Sequence, residues 1–117
     1  MVVGLRMGLL ALRRLDARGW FDLRCRVRLR WNPPDSCVID GIQSSTGCTM
    51  GKKNLEKEDD NGISAEFTKC DKRITISLRK EVLNNIKNIL SDKNEKRIKE
   101  LIKELKSADD SEIFNII

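Results

Sequence analysis

Residues 37–54 read CVIDGIQSSTGCTMGKKN, and this stretch decides how the rest of the chain is arranged. Asp35 and Ser36 are good helix N-cap residues, and Gly47 suits the position just after a helix. These signals predict a short helix over about 37–46, and the remaining segments are predicted to serve as its scaffold.

Two cysteines in this stretch are candidate metal ligands. Cys37 is also a candidate nucleophile, because the N–H groups and dipole at a helix start favour a thiolate over a thiol. Cys48 follows the far end of the helix, and two helical turns separate their ends by roughly 12–15 Å. The two sulfur atoms therefore share a site only if the loop after Gly47 folds back. Asp40 and Gln43 share a helix face with Cys37 and are expected to orient a ligand or its bound water.

The end of the stretch predicts an anion site. A Gly-Cys-Thr turn can present several N–H groups to an anion, so Thr46, Gly47, Thr49 and Lys52 are candidate contacts. The segment GCTMGKK also has a superficial likeness to a phosphate-binding P-loop. However, only three residues separate its glycines, and Lys53 stands where Ser or Thr would hold magnesium. The sequence therefore argues against nucleotide hydrolysis.

The same residues resemble the signature of the E-subunit family of formylmethanofuran dehydrogenase, Cys-x-x-Asp-[Ala/Gly]-Ile-Gln-x-x-Thr-Gly-Cys-Thr-x-Gly-Lys-x-Asn-Leu. Residues 4–15 are similar to the first helix of that family, and residues 107–116 are similar to its closing segment. The resemblance therefore covers nearly the whole chain. The matching positions are Cys37, Asp40, Ile42, Gln43, Thr46, Gly47, Cys48, Thr49, Gly51, Lys52, Asn54 and Leu55.

The resemblance implies an accessory, metal- or anion-binding role beside the tungsten or molybdenum enzyme of methanogenesis. Cys37 and Cys48 would be ligands of zinc or iron. Relatives usually carry a His-x-Cys-Pro-Gly segment just before the glycine that matches Gly4, and those residues would supply further ligands. This chain starts at Met1, after that segment, and contains no histidine. Either the true start lies upstream of Met1 or this member has lost half its site, so a bound metal and an empty thiol pocket both stay open.

Composition limits the other possibilities. The 117 residues suit one domain, and five aromatic residues require an aliphatic core. Four irregularly spaced cysteines do not form a secreted disulfide framework, so a cytoplasmic location is expected. Arg6 interrupts the apolar opening, and we expect neither a signal peptide nor a membrane span. The sequence offers no second domain for a pterin and no cysteine array for iron–sulfur clusters.

Periodicity predicts an α+β domain in the order α-β-α-β-β-β with one mixed sheet, covering about 1–80, followed by helices over about 81–117. The predicted strands cover residues 22–31, 63–69 and 73–78, with a weaker candidate over 53–58. In the first helix the predicted buried face carries Val2, Leu5, Leu9 and Leu12, while Gly4 and Gly8 permit close approach. The strand side chains predicted to point inward are Leu23, Cys25, Val27, Leu29, Trp31, Ile63, Ala65, Phe67, Ile74, Ile76 and Leu78.

The last helices are predicted to carry apolar stripes, with Ser91 or Asp92 as a cap between them. A final turn over residues 112–117 carries Ile113, Phe114, Ile116 and Ile117. These four side chains must pack on the core or on a second copy of the chain. We therefore expect a homodimer, with other components of formylmethanofuran dehydrogenase as further candidate partners.

Two other function classes stay open. Residues 1–36 contain eight arginines, no lysine and three acids, whereas the remainder carries no net charge. The row Arg24, Arg26, Arg28 and Arg30 on one strand face is therefore either a solvated surface or a nucleic-acid-binding surface. The second class is a stand-alone thiol enzyme that uses Cys37 as nucleophile, with assistance from Asp40 or Lys52.

Overall fold

A five-stranded sheet and five helices make up the part of the chain that the computed structural model describes, residues 2–33 and 35–117. The strand order is β2-β1-β3-β4-β5, with β1 and β2 parallel and the other neighbours antiparallel. The prediction of an α+β domain with one mixed sheet is confirmed. The elements are α1 (Val2–Leu15), β1 (Arg24–Leu29), α2 (Cys37–Thr46), β2 (Leu55–Asp59), β3 (Ser64–Lys69), β4 (Lys72–Leu78), α3 (Lys80–Ser91), α4 (Glu95–Ser107), α5 (Asp110–Ile113) and β5 (Phe114–Ile116).

Helix α2 connects the two parallel strands, so β1, α2 and β2 form a βαβ unit. Both predicted ends of α2 are confirmed. Gly47 adopts φ 73° and donates its N–H to the Gln43 carbonyl oxygen at 2.9 Å, which ends the helix. At the start, Ser36 occupies the N-cap position without a side-chain capping bond. The predicted capping side chains therefore do not define this helix start.

Helix α1 packs against α2 through its glycine face, and the predicted buried face is wrong. Leu5 and Leu9 are 38% and 51% exposed. Gly4 and Gly8 instead face α2, and a Cβ on Gly4 would lie only 1.9 Å from the Val38 carbonyl oxygen. The two helices can approach closely only if Gly4 and Gly8 face α2. Leu5 and Leu9 therefore point away from α2 and are exposed. The apolar side chains buried on the glycine side are Val3, Met7, Leu10, Ala11 and Leu15.

The sheet buries one face against α1, which contacts β3 and β4. Strand β2 lies at 55–59, close to the weaker candidate, and the inward residues of β3, β4 and the region just before them are buried as predicted. In β1 the alternation is also confirmed up to Leu29. Trp31 was predicted to point inward, and this is wrong. Strand β1 ends at Leu29, and Trp31 is 48% exposed.

The C-terminal segment supplies an element that periodicity did not predict. The residues predicted to form a final turn instead include strand β5, which pairs antiparallel with β4 and closes that edge of the sheet. Ile113 and Phe114 are buried in the core of their own chain. Helix α4 is capped by Asn94, which accepts two backbone N–H groups, and not by Ser91 or Asp92. None of the helices in the described residues is long and apolar enough to cross a membrane.

Candidate functional site

Two loops, residues 16–22 and 47–54, lie against each other beyond the end of α2, and we call them the paired loops. Trp20 donates its N–H to the Thr46 carbonyl oxygen at 2.6 Å. Gly19 has φ 92°, and a Cβ there would lie 2.3 Å from the same oxygen. The Asp22 carboxylate accepts the N–H groups of Arg18 and Gly19 at 2.9 and 2.8 Å. These bonds, led by the one from Arg18, lower the pKa of Asp22 despite a smaller opposing effect of burial.

The second loop is held by its own side chains. Asn54 accepts the Thr49 N–H at 2.9 Å through Oδ1 and donates its amide to the Trp20 carbonyl oxygen. Lys52 Nζ donates to the Gly47 carbonyl oxygen at 3.0 Å and lies 4.7 Å from the centre of the Trp20 ring. The loop therefore holds Trp20 at two points. Asn54 bonds to the Trp20 carbonyl oxygen, and Lys52 lies over the indole ring.

The hydrogen bonds of the Gly-Cys-Thr turn do not favour the predicted anion site. The Gly47 N–H donates to Gln43, and the Cys48 N–H donates to Thr46 Oγ1 at 3.1 Å. The Thr49 N–H is used by Asn54. Because the N–H groups of the Gly-Cys-Thr turn are already bonded within the chain, they are not available to an anion. The anion site therefore stays a prediction, because sequence spacing does not reveal which acceptors approach a turn.

Cys48 is a buried thiol beneath the paired loops. Its side chain is fully buried, and its Sγ donates to the Leu23 carbonyl oxygen at 3.4 Å. Burial is the largest cause that raises the pKa of Cys48. Burial likewise raises the pKa of Cys25 well above its usual value, with nearby Cys48 as a smaller cause. Both thiols are therefore stabilised in the protonated form and suit core packing.

Cys37 lies at the other end of α2 and is only partly buried. Ten helical residues place the two ends of α2 about 15 Å apart. The loop after Gly47 turns towards Leu23 rather than back along the helix. The structure therefore does not bring Cys37 and Cys48 into a common pocket. Asp40 remains exposed on the Cys37 side of the helix, so its orienting role stays a prediction.

The donor set does not fit a zinc or iron centre. Within residues 2–33 and 35–117, no group of three His, Cys, Asp or Glu side chains is placed to hold a metal ion. Zinc sites in proteins use three or four such ligands. Ligation by Cys37 and Cys48 thus stays a prediction without a supporting arrangement of residues.

The arginine row on β1 is matched by acidic residues on β2. Arg28 Nε lies 3.0 Å from Glu58, and Arg26 lies 3.5 Å from Glu56 and 3.6 Å from Glu58. The parallel register places Arg26 beside Glu56 and Arg28 beside Glu58. The two middle arginines of the row are therefore neutralised locally, which does not favour the nucleic-acid hypothesis.

Sequence reasoning missed two features. Trp20 and Phe21 are 61% and 80% exposed at the tip of the first loop. Two adjacent aromatics after Gly19 were the available signal, since large apolar side chains in a turn are seldom placed for packing alone. Asp35, expected to cap α2, is instead buried. No sequence pattern distinguishes a capping aspartate from one turned inward.

Of two comparisons with known proteins, one gives a match and one gives none. A search of curated proteins gives no match. The sequence model of the family described as FmdE, Molybdenum formylmethanofuran dehydrogenase operon, matches residues 1–115, which include the whole βαβ unit and both paired loops. The chain therefore belongs to the FmdE family of the formylmethanofuran dehydrogenase operon.

Proposed function

We propose that this chain is a non-catalytic accessory protein of the formylmethanofuran dehydrogenase system, and that it binds another protein of that system through the paired loops. Family membership supports the association with that operon. The observation that carries the binding role is the exposure of Trp20, Phe21 and Met50 on loops fixed by hydrogen bonds.

The chemistry of this surface suits protein recognition. Aromatic side chains and methionine are enriched in protein interfaces, and large aromatics contribute most of the binding energy at many of them. Trp20 is already ordered by Lys52 and Asn54 before any partner binds. Less conformational entropy is therefore lost on association than for a mobile loop.

Co-expression with the other formylmethanofuran dehydrogenase subunits tests the proposal, with complex formation measured by analytical ultracentrifugation of the purified proteins. Phe21→Ser should weaken the complex at least tenfold while leaving the far-UV circular dichroism unchanged. Trp31→Ser is the matched control, because Trp31 is also exposed but follows the opposite end of β1. Equal binding by both variants, or the absence of any such complex, would contradict the proposal.

A thiol-dependent activity at Cys37 is the second candidate. It is favoured by the contrast between Cys37, which is partly exposed in the first turn of α2, and the buried Cys25 and Cys48. Rapid labelling of Cys37 by iodoacetamide near neutral pH supports this candidate. Exposed Cys70 is the internal reference for an unactivated thiol, and labelling of Cys37 no faster than Cys70 removes it.

A further inference from the structure

An apolar cavity of about 240 Å³ lies between the first turns of α1 and α2 and the helices α3 and α4. Twelve of its fourteen lining residues are aliphatic, among them Val3, Leu83 and Leu101. The other two are Asp35 and Lys87. An aliphatic pocket with a few polar groups at one side is typical of small-molecule sites.

Asp35 is the unusual member of this lining. The residue is 4% exposed, and none of the described groups donates a hydrogen bond to its Oδ2 atom. The nearest cation, Lys87 Nζ, is 3.6 Å from Oδ2, which exceeds hydrogen-bond distance. Leaving a buried carboxylate oxygen without a donor is costly, and such groups are rare in folded proteins. The cavity therefore presents an acceptor that lacks a donor.

Local backbone structure explains why Asp35 turns inward. Its carbonyl oxygen accepts the Val38 N–H at 3.1 Å, and Ser36 donates its N–H to the Asn32 carbonyl oxygen at 3.0 Å. These bonds form the turn that leads into α2, while the N-cap position falls to Ser36. The Asp35 side chain therefore does not cap α2 and instead lines the cavity.

The cavity also has a route to solvent. An outer groove of about 400 Å³, which Arg30 helps to line, shares Asp35, Lys87 and Leu90 with the inner cavity. The Asp35–Lys87 pair therefore stands between the two spaces. The Lys87 side chain is 35% exposed, and a long ammonium side chain can move into water at small cost.

We propose that this cavity binds a small amphiphile with a primary ammonium head and an aliphatic or ring-shaped tail. The ammonium donates to Asp35 Oδ2 in place of Lys87, so the buried carboxylate keeps a positive partner and gains a hydrogen bond. The tail fills the aliphatic part. An engineered apolar cavity of about 150 Å³ takes up benzene, so about 240 Å³ admits a tail of at least that size.

Three probes of matched tail length test the proposal on the full chain by two-dimensional NMR titration and thermal shift: hexylammonium, hexanol and hexanoate. Hexylammonium should bind at least tenfold more tightly than hexanol, and hexanoate should bind most weakly. Asp35→Asn, which keeps the side-chain size, should remove the preference for hexylammonium over hexanol. Equal binding of all three, tighter binding of hexanoate, or no saturable shift with any probe overturns the proposal.

Two further variants keep the test informative if Asp35→Asn does not fold. Lys87→Met removes the competing ammonium and should increase hexylammonium affinity several-fold. Leu101→Phe partly fills the cavity without touching Asp35 and should weaken all probes that bind there. Unchanged hexylammonium affinity in both variants would show that the probe binds elsewhere, and would overturn the proposal. None of these residues belongs to the paired loops, so failure here leaves the proposed partner binding unaffected.

Discussion

Replacing Gly4 by alanine tests the packing on which the whole arrangement of helices depends. The added Cβ would lie 1.9 Å from the Val38 carbonyl oxygen and 3.1 Å from the Ile42 nitrogen. Restoring a normal contact requires α1 and α2 to move apart by about 1.5 Å, because non-bonded heavy atoms pack at roughly 3.5 Å. The obstacle is backbone inside α2, so no side-chain rotation relieves it.

The expected magnitude is a difference of two terms. Overpacking a well-packed interface costs about 1–3 kcal/mol, and the backbone obstacle places Gly4→Ala at the upper end of that range. Alanine is favoured over glycine within a helix by about 1 kcal/mol. We therefore expect a net loss of about 2 kcal/mol in the free energy of unfolding. In a domain near this size, each kcal/mol lowers the Tm by roughly 4–8 °C.

Urea unfolding followed by circular dichroism measures this loss in the free energy of unfolding. Alanine variants of two other glycines serve as comparisons. Gly8→Ala should cost less than Gly4→Ala, because its closest contact is the Ser45 hydroxyl, which can rotate away. Ser45→Gly should then recover part of the loss in the double mutant. Gly62→Ala meets nothing within 4 Å and should leave stability unchanged or slightly raised. If Gly4→Ala is as stable as Gly62→Ala, α1 and α2 do not pack as described.

Three further predictions concern the buried thiols, the paired loops and the charged face of the sheet. Because burial raises the pKa of Cys25 and Cys48, both stay protonated when folded while the unfolded thiols ionise above pH 8.5 or so. Stability should therefore be complete below that pH and fall above it until the buried thiols themselves ionise, as urea titrations will show; the slope is at most about 1.4 kcal/mol per pH unit for each thiol. Asn54→Ala should destabilise the chain by about 1–3 kcal/mol and increase quenching of Trp20 by acrylamide, because the loop bonds are lost. Glu58→Gln should strengthen binding to heparin at low salt, since it frees Arg28 and leaves Arg26 paired with Glu56 alone.

Each of these has a matched control. Cys70→Ser should keep the full alkaline slope because Cys70 is exposed, whereas Cys48→Ala should remove about half of it; an unchanged slope in Cys48→Ala would contradict the assignment. For the loop, unchanged Trp20 quenching in Asn54→Ala would show that the amide does not order the indole. For the sheet, Asp60→Asn removes one negative charge away from the arginine pairs, and an equal gain in heparin binding would indicate a net-charge effect alone.

Local signals predicted the fold where the deciding interactions are also local. The end of α2, the β3–β4 pair and the inward residues of these strands follow from glycine, turn residues and alternation. The buried face of α1 was predicted wrongly, because hydrophobicity favours Leu5 and Leu9 whereas close packing favours Gly4 and Gly8. Strand β5 has only three residues, and it exists because β4 offers an unpaired edge.

The candidate site was less predictable for a related reason. The sequence identified residues 37–54 as the chemically dense stretch, and the paired loops do use its final part. Their partner is the loop over 16–22, whose contacts depend on how α1 and α2 pack. The distance between Cys37 and Cys48 likewise depends on the direction of the chain after Gly47. Spacing along the sequence carries no information about either.

The parallel arrangement of β1 and β2 places the two proposed sites at opposite ends of the sheet. Parallel strands have their carboxyl termini at one edge of the sheet, and α/β units commonly bind small ligands at that edge. The segment that carries Asp35 follows β1 at this edge, while the paired loops lie at the amino-terminal edge. A small molecule at one pole and a protein at the other would not compete for space. If both proposals hold, the two could be bound at once, and α2 connects the two ends.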